Sequence, residues 1–162
     1  MTRAFMPLLH AGREACLVNL SSVSGLVSPP GRTAHATSKF AVRGFSNALR
    51  YELAGAGVFV VHPYGVATAI AGSARIQAVT PPEQAEQACQ ATKRILTLSP
   101  ALASEIIVRG VERWRARILV GRDAKITSWF ERVAPVSHWI RLKRLIGGRR
   151  NRLGCRYLLA LL

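Results

Sequence analysis

A serine, a histidine and a lysine are the side chains in this sequence best placed to act together. Ser22 precedes His35 by thirteen residues, and His35 precedes Lys39 by four. Four residues are about one turn of an α-helix, so the imidazole and the ammonium would stand one above the other on a single helix face. An imidazole titrates near ~6.5 in water, which makes it a general acid or base in principle at neutral pH. A serine hydroxyl brought to the same place would complete a pocket for a shared ligand.

The flanking sequence supplies elements that could bring them together. Cys16-Leu17-Val18-Asn19-Leu20 is a short apolar run suited to a buried parallel strand. Ser22 lies just past its carboxyl end, where open parallel sheets bind ligands, in a Ser-, Gly- and Pro-rich loop from Ser21 to Gly31. From about Thr33 to Leu53 the pattern is helical, with Phe40, Gly44, Phe45, Ala48, Leu49 and Leu53 in one apolar stripe. Val58 to Val61 reads as a second strand, stopped by Pro63, and Arg117 to Gly121 as a third. Residues 2–10 read as the end of a helix. Thr80-Pro81-Pro82-Glu83 opens another, running to about Leu96, and Ser99-Pro100 a further one, ending near Arg115. This alternation predicts an α/β fold: a partial doubly wound parallel sheet of about three strands with flanking helices. Residues 1–131 form the expected domain, and 132–162 a basic C-terminal extension, helical or disordered.

Two stretches carry a resemblance. Asn19-Leu20-Ser21-Ser22-Val23-Ser24-Gly25 is followed by Ala34-His35-Ala36-Thr37-Ser38-Lys39-Phe40-Ala41-Val42-Arg43-Gly44-Phe45. Together they resemble the short-chain dehydrogenase/reductase family, in which a serine stands thirteen residues before a Tyr-x-x-x-Lys pair. His62-Pro63-Tyr64-Gly65-Val66-Ala67-Thr68 is similar to the family's Pro-Gly-x-Val-x-Thr segment. The resemblance implies the catalytic half of a Rossmann-like, NAD- or NADP-dependent oxidoreductase acting on a small alcohol or carbonyl substrate. It gives Ser22 the substrate oxygen and position 35 the proton exchange. Lys39 receives the ribose hydroxyls and the lowering of its neighbour's pKa. Pro63, Tyr64, Gly65, Val66 and Thr68 fall in the segment that shapes the nicotinamide pocket. The family's dimer surface would lie on the helix 33–53, presenting Phe45, Leu49 and neighbours to a second copy.

Three departures make independent activity doubtful on this reading. His35 replaces the family's tyrosine. Imidazole is shorter than phenol, and a misplacement of about 1 Å can cost ~100-fold in rate. Lys39 would also suppress imidazole protonation, so a polar residue in a dead pocket is the favoured reading. Tyr64 replaces glycine, and its ring would either crowd the nicotinamide or point outward. The Gly-rich turn that holds a pyrophosphate is absent: Gly55-x-Gly57 precedes a strand, and Gly147-Gly148 lies in the basic tail. The strand Cys16 to Leu20 would then be an unprotected apolar edge. A truncated, inactive or weakly active oxidoreductase is expected, with a non-catalytic dimerising or membrane-associated protein as the alternative.

Composition fits one domain with a core: 162 residues, 49% of them hydrophobic. No run reaches the ~18 apolar residues of a membrane span, and no signal peptide is recognisable, so a cytoplasmic protein is expected. Cys16, Cys89 and Cys155 have no metal-ligand spacing, and no metal is expected. Of the net charge of +15, residues 1–131 hold 15 Lys/Arg and all 8 acids, while 132–162 hold 8 Lys/Arg and no acid. The segment 139–156, with Trp139 and Ile140 as anchors, could associate weakly with anionic membranes. Nucleic acid is the least favoured partner.

Overall fold

The computed structural model describes residues 2–12, 14–53, 55–71, 82–137 and 140–141. Its frame is a three-stranded parallel sheet in the order β1 (Cys16–Leu20), β2 (Gly57–Pro63), β3 (Arg117–Val120). Cys16 pairs with Gly57 and Leu20 with Val61, and Val60 to Pro63 pair with Arg117 to Val120. The expected α/β architecture and its three strands are present, with β2 longer than the apolar run alone suggested.

Five helices flank the sheet among the described residues: α1 (Thr2–Ala11), α2 (Thr33–Glu52), α3 (Pro82–Ile95), α4 (Pro100–Glu112) and α5 (Arg122–Val133). α4 starts where Ser99 caps it, accepting from the Leu102 N–H at 3.2 Å with Pro100 in the first turn. On one face of the sheet, Phe59, Val61, Ile118 and Val120 pack under Ala103, Ile106, Ile107 and Val111 of α4. On the other, Leu17 and Val58 lie under Leu9 of α1 and Leu49 and Leu53 at the end of α2. α5 covers Leu119 through Ala124, against Val23, Leu26 and Val27 of the loop after β1. With helices on both faces, β2 is buried over all but its last residue, which is why Val58 to Val61 read as an unbroken apolar run.

The buried face of α2 is not the stripe expected from its large apolar residues. Ala36, Ser46 and Leu49 face inward, while Phe40, Gly44, Phe45 and Ala48 face out. Leu49 is therefore a core residue and is not available to a second copy. The Ser46 hydroxyl can be buried because it donates to Val42 O at 2.7 Å and accepts from Asn19 Nδ2 at 3.0 Å. α5 was not expected, and it ends just past the boundary drawn after residue 131. The helix start at Thr80-Pro81, residues 142–162 of the extension 132–162 and most of the segment 139–156 lie outside the described residues.

β1 is the outer strand, and its α4-side face is bare. Residues paired in a parallel ladder share a face, so Val18 and Leu20 lie beside Phe59 and Val61. Yet Val18 and Leu20 are 38% and 58% exposed, while Phe59 and Val61 are 1% and 0% exposed. α4 reaches across β2 and β3 and stops short of β1. Phe59→Ala is therefore expected to cost ~3–5 kcal/mol of stability and Val18→Ala less than ~1 kcal/mol. Urea unfolding of the two variants would show that contrast.

Candidate functional site

The site is built around the chain just beyond β1. Ser21 extends the ladder by one bond, its N–H reaching Val61 O at 2.9 Å, and its hydroxyl donates to Lys39 O of α2 at 2.8 Å. A Cβ on Gly25 would collide with Ser21 Oγ and lie 2.7 Å from Lys39 O, so only glycine lets loop and helix approach this closely. Ser22 caps a 3-10 turn, Val23–Gly25, and its Oγ accepts from the Ser24 N–H at 3.1 Å. The hydroxyl proton of Ser22 is then free to be donated elsewhere.

Lys39 reaches the same place from α2. Its Nζ donates to Leu20 O, the last carbonyl of β1, at 3.3 Å. An ammonium has three protons, so two remain for a ligand. Arg43, one turn further along, donates to Gly25 O at 3.2 Å and pairs with Glu131 of α5 at 3.3 Å. Ser22 and Lys39 are thus gathered at the tip of β1. His35 stands in the first turn of α2, exposed, one turn before Lys39. Partial burial and the charges of Lys39 and Arg32 hold its pKa below the ordinary histidine value. The imidazole is mainly neutral at neutral pH.

The segment after β2 divides between two faces. Tyr64 packs with Val23, Leu26, Val27 and Ala124, against the Ser22 loop. Its phenol is half-buried, and burial followed by the Asp123 charge raises its pKa. The ring therefore neither stands free in solvent nor needs a special backbone. The glycine-favoured conformation falls one residue later, at Gly65 with φ +63°, where a Cβ would lie 2.5 Å from Ile95 O. Val66 turns the other way, onto the α4 cluster, and bridges to Leu98. Gly65 O accepts from the Leu98 N–H at 2.9 Å, and Leu98 O from the Ala67 N–H at 2.8 Å, fixing the segment to the chain ahead of α4. Thr68 is exposed, Pro63 half-buried at the end of β2. A hollow of about 370 Å³ beside Tyr64 and Gly65 is bordered by Thr97, Leu98, Gly121 and Asp123.

His62 has no role in the sequence reading, and the structure buries it against the Ser22 turn. It is fully buried in β2, and its Nδ1 lies 2.7 Å from Ser22 O. A carbonyl only accepts, so Nδ1 carries the proton. The only sequence signal was a polar residue inside an apolar strand. No group of three or more His, Cys, Asp or Glu suited to a metal occurs among the described residues, and no described helix is long and apolar enough to cross a membrane.

Comparisons with known proteins bear on the family and the fold. Residues 1–78 match the short chain dehydrogenase family. A Mycobacterium tuberculosis protein named as an oxidoreductase, SadH, is 39% identical over 141 residues, covering 85% of this chain and 50% of SadH. The chain thus spans about half the length of that relative. Among solved structures, a short-chain dehydrogenase/reductase from Burkholderia phymatum, crystallised with NAD, superposes with a TM-score of 0.71. It is 23% identical, over 93% of this chain and 57% of that one. A short-chain dehydrogenase from Burkholderia cenocepacia, crystallised with NADP, gives 0.67 at 21% identity, over 88% and 52%. These two likenesses establish the fold.

His62 links the site to stability. Burial, foremost, pushes its pKa down to about 4, with the Arg117 and Arg43 charges adding to the shift, while the bond to Ser22 and Glu131 oppose it. With the folded pKa below the unfolded one, the unfolded chain binds the proton first. The stabilisation is complete above about pH 6.5 and is lost as pH falls toward the folded value. Near pH 5 the loss is expected to be on the order of 2 kcal/mol. Urea midpoints at neutral and acid pH would show it, and His62→Asn should flatten the decline by that amount.

Proposed function

Because the chain belongs to the short-chain dehydrogenase/reductase family, we propose that it supplies the proton-handling side of an NAD- or NADP-dependent alcohol/carbonyl oxidoreductase. The observation that carries this reading is the convergence of the Ser22 turn and the Lys39 ammonium on the tip of β1, with donor protons of both unspent among the described residues. In this reading Ser22 donates to the substrate oxygen and supports its developing charge. Lys39 offers its two remaining N–H groups to ribose hydroxyls. His35 exchanges a proton with the substrate oxygen, as far as its shorter side chain reaches. When bound, the nicotinamide supplies or accepts the hydride. The residues present fit the nicotinamide–ribose end of a dinucleotide, with Gly65 and Thr68 at its edge. Among the described residues no strand-to-helix turn has the Gly-rich pattern that would hold the pyrophosphate. The same reading puts the chain in the cytoplasm, where its three cysteines would stay reduced.

A second copy docking on α2 is a second reading, favoured by the exposure of two of its aromatic residues, Phe40 at 38% and Phe45 at 48%. Phe45→Glu is expected to lower the apparent mass in size-exclusion chromatography without loss of helicity, whereas Leu49→Glu, placed in the core, should unfold the chain.

By itself the chain is expected to show no saturable thermal stabilisation by NADH or NADPH, and His35→Tyr alone no turnover. Joined to the part of SadH that this chain does not match, it should bind a nicotinamide dinucleotide. There His35→Tyr should raise ketone reduction by roughly 100-fold, and Lys39→Ala or Ser22→Ala should lower it by ~100-fold or more. Parent rates in both alanine variants would defeat the proposed roles.

A further inference from the structure

The run Val58-Phe59-Val60-Val61 would continue most simply with another apolar residue. Instead β2 buries His62, 0% exposed, with Nε2 enclosed and without a hydrogen-bond partner among the described residues. A buried polar atom left unpaired is destabilising, and leucine at this position would remove it. What leucine could not do is donate to the carbonyl of Ser22. We propose that His62 is a positioning residue, whose Nδ1–H, given to Ser22 O, holds the Ser22 turn in the shape that leaves its hydroxyl proton free at the tip of β1. The inference rests on the reading above, in which Ser22 meets the substrate oxygen.

The geometry is specific. Ser22 O also accepts from the Gly25 N–H at 2.9 Å, while Ser22 Oγ accepts from the Ser24 N–H. The imidazole therefore closes a turn whose backbone and side chain are both engaged. Arg43 on α2, Glu131 on α5 and Arg117 on β3 are the charged groups that act on the ring. Burial and the two arginines keep it neutral, and the carbonyl of Ser22, which can only accept, puts its one proton on Nδ1. Enclosed as it is, His62 cannot touch a substrate and takes no part in proton transfer.

Nuclear magnetic resonance on the purified chain tests this without cofactor or substrate. The expected result is one tautomer, protonated at Nδ1, unchanged from about pH 5 to about pH 8, with coupling across the hydrogen bond to the Ser22 carbonyl carbon. His62→Asn keeps a side-chain N–H near the Nδ1 position, and His62→Leu removes it. Exchange of the Ser24 amide should speed up roughly tenfold in His62→Leu and stay within about twofold of the parent in His62→Asn, with the amides of α4 unchanged in both. A proton on Nε2, a missing coupling, or equal Ser24 exchange in the two variants would overturn the proposal. If His62→Leu does not fold, the parent tautomer and His62→Asn decide. Failure of dinucleotide binding in the joined protein would leave these readings untouched, so the two ideas fall separately.

Discussion

A loop that runs through the interior must find donors for its own carbonyls, and the stretch from Leu20 to Gly25 takes them from side chains. Ser21 and Val23 to Val27 are buried beneath α2 and α5. Lys39 donates to Leu20 O, His62 to Ser22 O and Arg43 to Gly25 O. Three long or ring-bearing side chains from two elements thus converge on six residues of backbone. The ladder bond from Ser21 to Val61 and the absence of a side chain on Gly25 set how closely α2 can come. The site is a consequence of satisfying that loop. Lys39 is drawn to the tip of β1 by a carbonyl and arrives there with protons to spare.

The same requirement explains the use of charge in α2. Arg43 is half-buried and would be costly unpaired, yet it bonds a carbonyl and Glu131 together. Arg50 does similar duty at the other end of the helix, donating to Val58 O and Ala116 O at 3.0 Å each. These arginines hold the helix to the sheet through backbone acceptors. The charge of Arg43 adds to the positive potential felt by His62, and the backbone and side-chain partners of both arginines account for them with no ligand required.

What could be read from the sequence follows from size and hydrophobicity. β2 was legible because helices cover both its faces and make Val58 to Val61 apolar, and β1 and β3 because each is a short run of mostly apolar residues. Ser22 and Lys39 were legible because strand tip and helical spacing locate them without detailed packing. α5 was not, because its buried residues are Ala124, Thr127 and Ser128, while Ile126 and Trp129 face outward. A small-residue stripe packs a helix closely while leaving almost no apolar period. In α2 the reverse occurred: Phe40 and Phe45 outweigh Ser46 in any hydrophobic reading, but a hydroxyl bonded to Asn19 takes the inside position. His62 was hidden for the same reason, as one polar residue whose partner is a backbone atom distant in sequence. Gly65 shows the limit of matching by motif, since the positive φ sits one place beyond the glycine that the pattern led one to expect.

Position 35 is where residue and surroundings disagree. A phenol ionises near ~10, so a neighbouring ammonium brings it toward neutral pH and improves it as an acid and a base. An imidazole begins near ~6.5, and the same positive charge drives it away from neutral pH on the other side. Lys39 and Arg32 both act in that direction on His35, as does its partial burial, and the positive end of α2 adds to them. The form of His35 present at neutral pH is then the base, with little of the acid. The charges that would bring a phenol toward neutral pH at this position move the imidazole of His35 away from it.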